Sequence, residues 1–203
     1  MNDKGSRRER LLAAALDEFA ARGPAGARVE SIARAAGVNK QLITYYFGGK
    51  DGLYREMLRR CFAEPDESNE DLPSGGDLGD MLVGFFRKVS TDPRWLRLLQ
   101  WEALGDDAVD DESRRSHYQG LVVFAERGQR DGWFPPDLDA DLLFLSLLGA
   151  AEYASAYPQI TELVTGARTS DPAFVRRYEG HLRKLAARLV ATASGATTRP
   201  GSR

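Results

Sequence analysis

Between Arg28 and Lys50 the chain gathers side chains that suit the surface of duplex DNA. Asn39, Lys40, Gln41, Thr44, Tyr45 and Tyr46 lie close together, with Arg28 before them and Lys50 after. Lys and Gln side chains can meet base edges in the major groove, while Tyr hydroxyls and ammonium groups can hold phosphates. On that chemistry Lys40, Gln41 and Thr44 are candidates for base readout. Arg28, Asn39, Tyr45, Tyr46 and Lys50 are candidates for positioning the backbone. Lys50 also stands at the start of a further helix, where unpaired N–H groups favour an anion.

Side chains with this task need a rigid mount, and the surrounding pattern supplies one. The spacing predicts a helix over 29–36 with Ile32, Ala33 and Ala36 inward. Gly37 takes the reversal, Val38 points back to the core, and Asn39 caps a second helix over 40–46 through its side-chain oxygen. That helix buries Ile43, leads into Phe47, and shows solvent no carboxylate of its own. A solvated helical hairpin would share any one of these features. Their joint order, followed by Gly-Gly-Lys-Asp-Gly-Leu, favours a helix-turn-helix. A first helix over 7–22, with Leu12, Ala15, Leu16 and Phe19 at helical spacing, is expected to pack across both and to stop at Gly23-Pro24. Arg7, Arg8 and Arg10 at its start suit either phosphates or solvent.

Leu11-Leu12, Ala15, Phe19, Gly23, Ile32-Ala33, Ala36-Gly37-Val38, Phe47 and Lys50 together resemble the amino-terminal domain of the tetracycline-repressor (TetR) family. The match is specific over roughly the first 60 residues and architectural beyond them. The resemblance implies an all-α homodimer with a three-helix DNA-binding head and a larger helical body for ligand binding and dimerisation. It also implies a regulator of transcription, commonly a repressor released by a small molecule. Two departures matter. The small hydroxyl residue that usually caps the first motif helix is replaced by Ala27-Arg28, which frees Arg28 for phosphate. Thr44 stands where Tyr is frequent and reaches less far, though its methyl could meet a thymine methyl.

Charge divides the chain in a way that suits this reading. Residues 1–50 hold nine Lys/Arg against five Asp/Glu, +4, and since the whole chain is −2 the remainder carries −6. A basic head on an acidic body is an electrostatic footprint for nucleic acid. The hydrophobic fraction of 42% allows a packed core, and sparse β-branched residues favour helix. One cysteine, Cys61, excludes an internal disulfide. The start lacks an apolar signal stretch and no apolar run is long enough to cross a bilayer, so a cytoplasmic protein is expected.

Domain organisation is read as a head over 1–50, a connecting helix over 50–64, a helical body over 65–193 and a disordered tail over 194–203. The acid-rich stretch 64–80 reads as a mobile connection. In the body, helices are expected over 78–90, 94–104, from a first turn among the acids of 106–112 to about 130, over 139–157, 159–165 and from 172 onward. The helix over 139–157 is apolar on most of its circumference. The last helix carries Phe174, Tyr178, Leu182, Leu185 and Leu189 at helical steps. Together, helices 139–157 and 172–190 are expected to form a dimer seam as well as core. Trp95, Leu99, Phe124, Trp133, Phe134 and Phe144 are candidates for lining a small-molecule site, suited to an apolar or aromatic ligand. Each is more often simple core.

The two histidines, His117 and His181, sit in separate helices with no cysteine beside them, so no metal site is read. No Gly-rich phosphate loop or nucleophile elbow appears, and neither a cofactor nor catalysis is expected. The leading reading is therefore a homodimeric repressor that binds operator DNA and leaves it when a small apolar ligand binds. The alternatives are a regulator without an effector, and a helical carrier or enzyme whose helix-turn-helix is coincidental.

Overall fold

Every regular element in the computed structural model, which describes residues 3–63, 78–105 and 112–196, is an α-helix. In chain order these are α1 (Asp3–Gly26), α2 (Val29–Ala35), α3 (Gln41–Phe47), α4 (Lys50–Ala63) and α5 (Leu78–Thr91). They continue with α6 (Arg94–Ala103), α7 (Glu112–Arg130), α8 (Ala140–Ala156), α9 (Pro158–Thr165) and α10 (Pro172–Ala196). The connection expected at 64–80 lies outside the described residues as far as 77, as do the acids of 106–111 and the tail from 197 onward. The last helix runs three residues past the boundary expected at 193.

The chain folds as two compact units. The first takes α1 to α4 together with α6 and the opening turn of α7, through Arg115. Its core draws Leu11, Ala15 and Phe19 from α1, Ile32 and Ala33 from α2, Ile43 from α3, and Leu53, Met57 and Leu58 from α4. Burying each large side chain of this kind contributes about 1.5–3 kcal/mol. Leu98 of α6 is fully buried in the same core.

Around Leu98, α6 is tied to α1 at both ends. Arg94 donates to Asp17 at 2.8 Å, and the Trp101 indole N–H donates to the Ala20 carbonyl at 3.2 Å. Gly23 breaks the α1 helix with φ 69°, and a Cβ there would stand 2.8 Å from the Trp101 ring. Glycine is thus required at this position for both its backbone and its missing side chain. The residues 93–115, read from sequence as part of the body, are built into the unit that carries the helix-turn-helix.

The second unit comprises α5, α7 from Ser116 onward, and α8 to α10. Leu82 and Phe86 of α5 meet Leu147 and Ala151 of α8, and Phe174, Leu182 and Ala186 of α10, in one core. Ion pairs Arg87–Glu179 at 2.7 Å and Arg183–Asp80 at 2.7 Å bind α5 to α10 from outside. The stripe read on α10 as half of a dimer seam is turned largely inward. Phe174 and Leu182 are buried, Tyr178, Leu185 and Leu189 are half-buried, and Tyr178 stacks on Phe174 at 5.5 Å. Exposed apolar side chains of this unit include Leu142, Leu145, Ile160, Leu163 and Val164 on α8 and α9. The reason is geometric: α5 offers a matching apolar face, so α10 closes on its own chain.

Candidate nucleic-acid interface

The α2–turn–α3 unit is held by short-range bonds that its own residues supply. Gly37 carries φ 64° at the reversal, and the Val38 N–H donates to the Ala33 carbonyl at 3.0 Å, closing the end of α2. The Asn39 side-chain oxygen accepts the Gln41 N–H at 2.9 Å and so caps α3. Ile43 anchors α3 from below, and Gly48 ends it at φ 75°. Gly52 is the tightest point of the unit. A Cβ there would fall 1.7 Å from the Phe47 carbonyl oxygen, so α4 can start this close to the end of α3 only without a side chain.

This mount presents Gln41, Thr44 and Tyr45 to solvent on one outward face, with Tyr45 71% exposed. Tyr46 is turned the other way. It is half-buried against the core and meets Tyr45 and Phe47 edge-on, at 5.1 and 6.1 Å. Lys50 is also partly withdrawn: its ammonium donates to the Ala25 and Ala27 carbonyls at 3.3 and 3.4 Å, fastening α4 to the connection before α2. Arg28 is exposed at the start of α2, where no side chain caps the helix, as the missing hydroxyl implied. Its backbone N–H donates instead to Glu18 of α1, at 3.1 Å.

Three features escape a reading of the sequence. Lys40 is not a lone cation at the head of α3, because Glu30 of α2 pairs with it at 3.1 Å. The arginines at the start of α1 also serve the fold. Arg8 bonds Glu56 of α4 and lies 5.4 Å over the Phe47 ring, and Arg10 donates to the Ala36 carbonyl at 3.0 Å, satisfying the end of α2. The Arg8 and Arg59 guanidiniums hold the Glu56 carboxyl down at about 2, with Arg59 the stronger cause. The only sequence signal for these ties is basic residues at helical spacing, which a phosphate contact would share.

The six residues named for a small-molecule site are divided between the units. Trp95 and Leu99 belong to the first, where Trp95 packs on the head core. Phe124, Trp133, Phe134 and Phe144 belong to the second. Phe134 and Phe144 are buried, and Phe134 fits over Gly128, where a Cβ would lie 2.3 Å from its ring. Those two are core. Phe124 and Trp133 are half-buried. The second unit also holds polar groups that hydrophobic periodicity does not reveal. Glu152 of α8 is half-buried, and burial pushes its carboxyl above the usual range, with Lys88 opposing. The Ser155 hydroxyl, less than one turn further on, is buried without a hydrogen-bond partner.

Among the described residues no cluster of His, Cys, Asp or Glu could hold a metal ion, and no helix is long and apolar enough to cross a membrane.

Comparison with known proteins gives one answer along the chain. Residues 11–57 match the bacterial regulatory proteins of the tetR family, and residues 77–188 match a tetracyclin repressor-like C-terminal domain. The HTH-type transcriptional repressor SCO4008 of Streptomyces coelicolor is 32% identical over 168 residues, 81% of this chain and 86% of that protein. The HTH-type transcriptional regulator RutR of Escherichia coli K12 is 27% identical over 189 residues, 89% of this chain and 88% of RutR. The crystal structure of SCO4942 from Streptomyces coelicolor superposes with a TM-score of 0.75 at 26% identity, over 89% of this chain and 96% of that one.

Proposed function

This chain belongs to the TetR family of bacterial regulatory proteins, and we propose that it works as a homodimeric repressor that leaves its operator when a small ligand binds. It is a DNA-binding transcriptional regulator. The observation that carries the finer reading is the outward face of α3, where Gln41, Thr44 and Tyr45 stand clear of the fold on a capped, anchored helix. In this proposal each subunit lays α3 in a major groove, with Gln41, Lys40 and Thr44 toward base edges. Arg28, Tyr45 and the amide nitrogen of the Asn39 side chain hold phosphates. Tyr46 and Lys50 act from behind, the first by bracing Tyr45 and the second by fixing α4 beneath the turn.

The second subunit is proposed to cover the outer face of α8 and the adjoining α9. Leu145 is 63% exposed there and Leu163 86%, and so much apolar side chain left in water is the signature of an association surface. Release would follow from a ligand that favours one arrangement of the subunit over another, since only a difference in affinity can shift such an equilibrium. A small apolar or aromatic molecule touching Phe124 and Trp133, or Trp95 and Leu99 on α6, fits this role.

The test is binding of the purified protein to duplexes taken from the DNA flanking its own gene, read by fluorescence anisotropy. The native protein is expected to prefer one duplex, and Gln41→Ala to reduce that preference by about 1–3 kcal/mol. A protein that ignores every duplex at low salt would overturn the reading.

A further inference from the structure

The stretch 29–47 contains a single carboxylate, Glu30. A surface that works only by attracting a polyanion would do better without it. The structure places this carboxylate where it matters, 3.1 Å from the Lys40 ammonium, across the turn between α2 and α3. Both partners are more than half exposed, 56% and 61%, so the pair belongs to the surface of the motif and not to its core. Glu30 is held ionised by its own backbone N–H and by Lys40, which keep its carboxyl below the usual range. Lys40 precedes Gln41 at the head of α3, so its ammonium has two competing destinations, Glu30 on its own subunit or an acceptor on DNA.

An exposed ion pair of this kind is weak and is opened by a modest gain elsewhere. That weakness makes it selective. A loosely attached, unregistered duplex offers Lys40 a phosphate at no fixed distance, and leaves Glu30 stripped of its partner beside other phosphates. A duplex seated against Gln41 and Thr44 offers an acceptor in a fixed place, such as the O6 and N7 of a guanine.

We propose that Glu30 is a specificity-determining residue, which keeps Lys40 from generic phosphates and surrenders it only to a base edge presented in register. This rests on the reading of α3 as the DNA-contacting helix. Glu30 acts in two ways at once, by occupying the ammonium and by adding a negative charge that non-specific complexes must accommodate.

The experiment compares the full-length protein with Glu30→Gln, Lys40→Ala and the double variant. Two probes are used: a random-sequence duplex, and a tight-binding duplex recovered from a random pool by selection on the native protein. Anisotropy titrations run from about 50 to 200 mM salt. Gln at position 30 can still accept from its own backbone N–H, so α2 keeps its first turn. Glu30→Gln is expected to tighten random-sequence binding and to steepen its salt slope by about one per head, a difference across that range of about three- to four-fold for each head and about ten-fold for a dimer. Binding to the selected duplex should change by less than about two-fold, so the ratio between the probes falls. In the Lys40→Ala background the change in slope should shrink, because only the charge of Glu30 is then left to remove.

Unchanged random-sequence affinity and slope in Glu30→Gln would overturn the inference. So would a slope change that persists undiminished without Lys40, because Glu30 would then act by its charge alone. If the native protein binds neither probe, the DNA-binding reading falls and this inference falls with it.

Discussion

The two units differ in what they leave outside. In the first, basic side chains are drawn into the fold: Arg8 to Glu56, Arg10 to the end of α2, Lys50 to the Ala25 and Ala27 carbonyls, Arg94 to Asp17. What remains outside on α3 is polar and aromatic. In the second unit the aromatic residues are the ones drawn in, with Phe86, Phe174 and Tyr178 in contact, while leucines of α8 and α9 stay in water. Besides its core, the first unit joins its helices by ties at their ends and by close glycine contacts. The second unit holds itself by buried area, and leaves apolar side chains of α8 and α9 in water. The contrast is what the proposed function asks of the molecule, a first unit that meets a polyanion and a second that meets another copy of the chain.

The sharpest way to break this comparison is at the glycines. Gly52→Ala forces a Cβ onto the Phe47 carbonyl, a backbone atom that cannot swing aside. It is expected to destabilise the head by about 3 kcal/mol and to abolish DNA binding, seen as a lowered thermal transition. Gly84 of α5 has open space at its Cβ, and Gly84→Ala should stabilise the second unit by about 0.5–1 kcal/mol. Equal effects at the two sites would remove the distinction.

Next in size is the apolar exterior. Leu145→Asp puts a charge on the exposed face of α8, and if that face is covered by a second subunit, association should weaken by about 3 kcal/mol, on the order of a hundred-fold in Kd. Sedimentation would show dissociation with the helical signal retained. An unchanged assembly would move the seam elsewhere.

The head's dependence on local ties is tested by Asn39→Ala, which removes the acceptor of the Gln41 N–H. A loss of about 1 kcal/mol is expected in chemical denaturation. The smallest contrast is in acid. Glu56 has its carboxyl lowered from 4.5 to about 2, so its contribution is present above about pH 4.5 and is lost as pH falls toward 2. Glu152 of the second unit is shifted upward by burial, so its folded form binds a proton more readily and stability falls as pH rises above 4.5. Glu56→Gln should therefore lower stability at neutral pH, by roughly 1 kcal/mol after solvent screening, and flatten the acid limb. Glu152→Gln should raise it. Melting curves from pH 2 to 8 read both signs.

Much of the head is legible in the amino-acid order because its signals are local. Ile32, Ala33 and Ile43 sit at helical spacing, Gly37 needs a left-handed backbone, and Asn39 caps the helix two residues away, all within reach of a few covalent bonds. Charge division between the halves is equally plain, since it depends on composition and not on geometry. Tyr46, a candidate for a phosphate contact, is half-buried where Tyr45 is exposed, because one helical step separates the two and the core below decides which is covered.

The order of residues alone thus determined an all-helical chain, the place of its turn and caps, and the kind of surface α3 offers. Only tertiary packing decided that α6 joins the head, that Lys50 clasps two carbonyls, that Glu30 meets Lys40, and that α10 turns its stripe inward. Each of those depends on residues far apart in the chain or on a choice between two apolar faces. An amphipathic helix announces that it must be covered and is silent about what covers it.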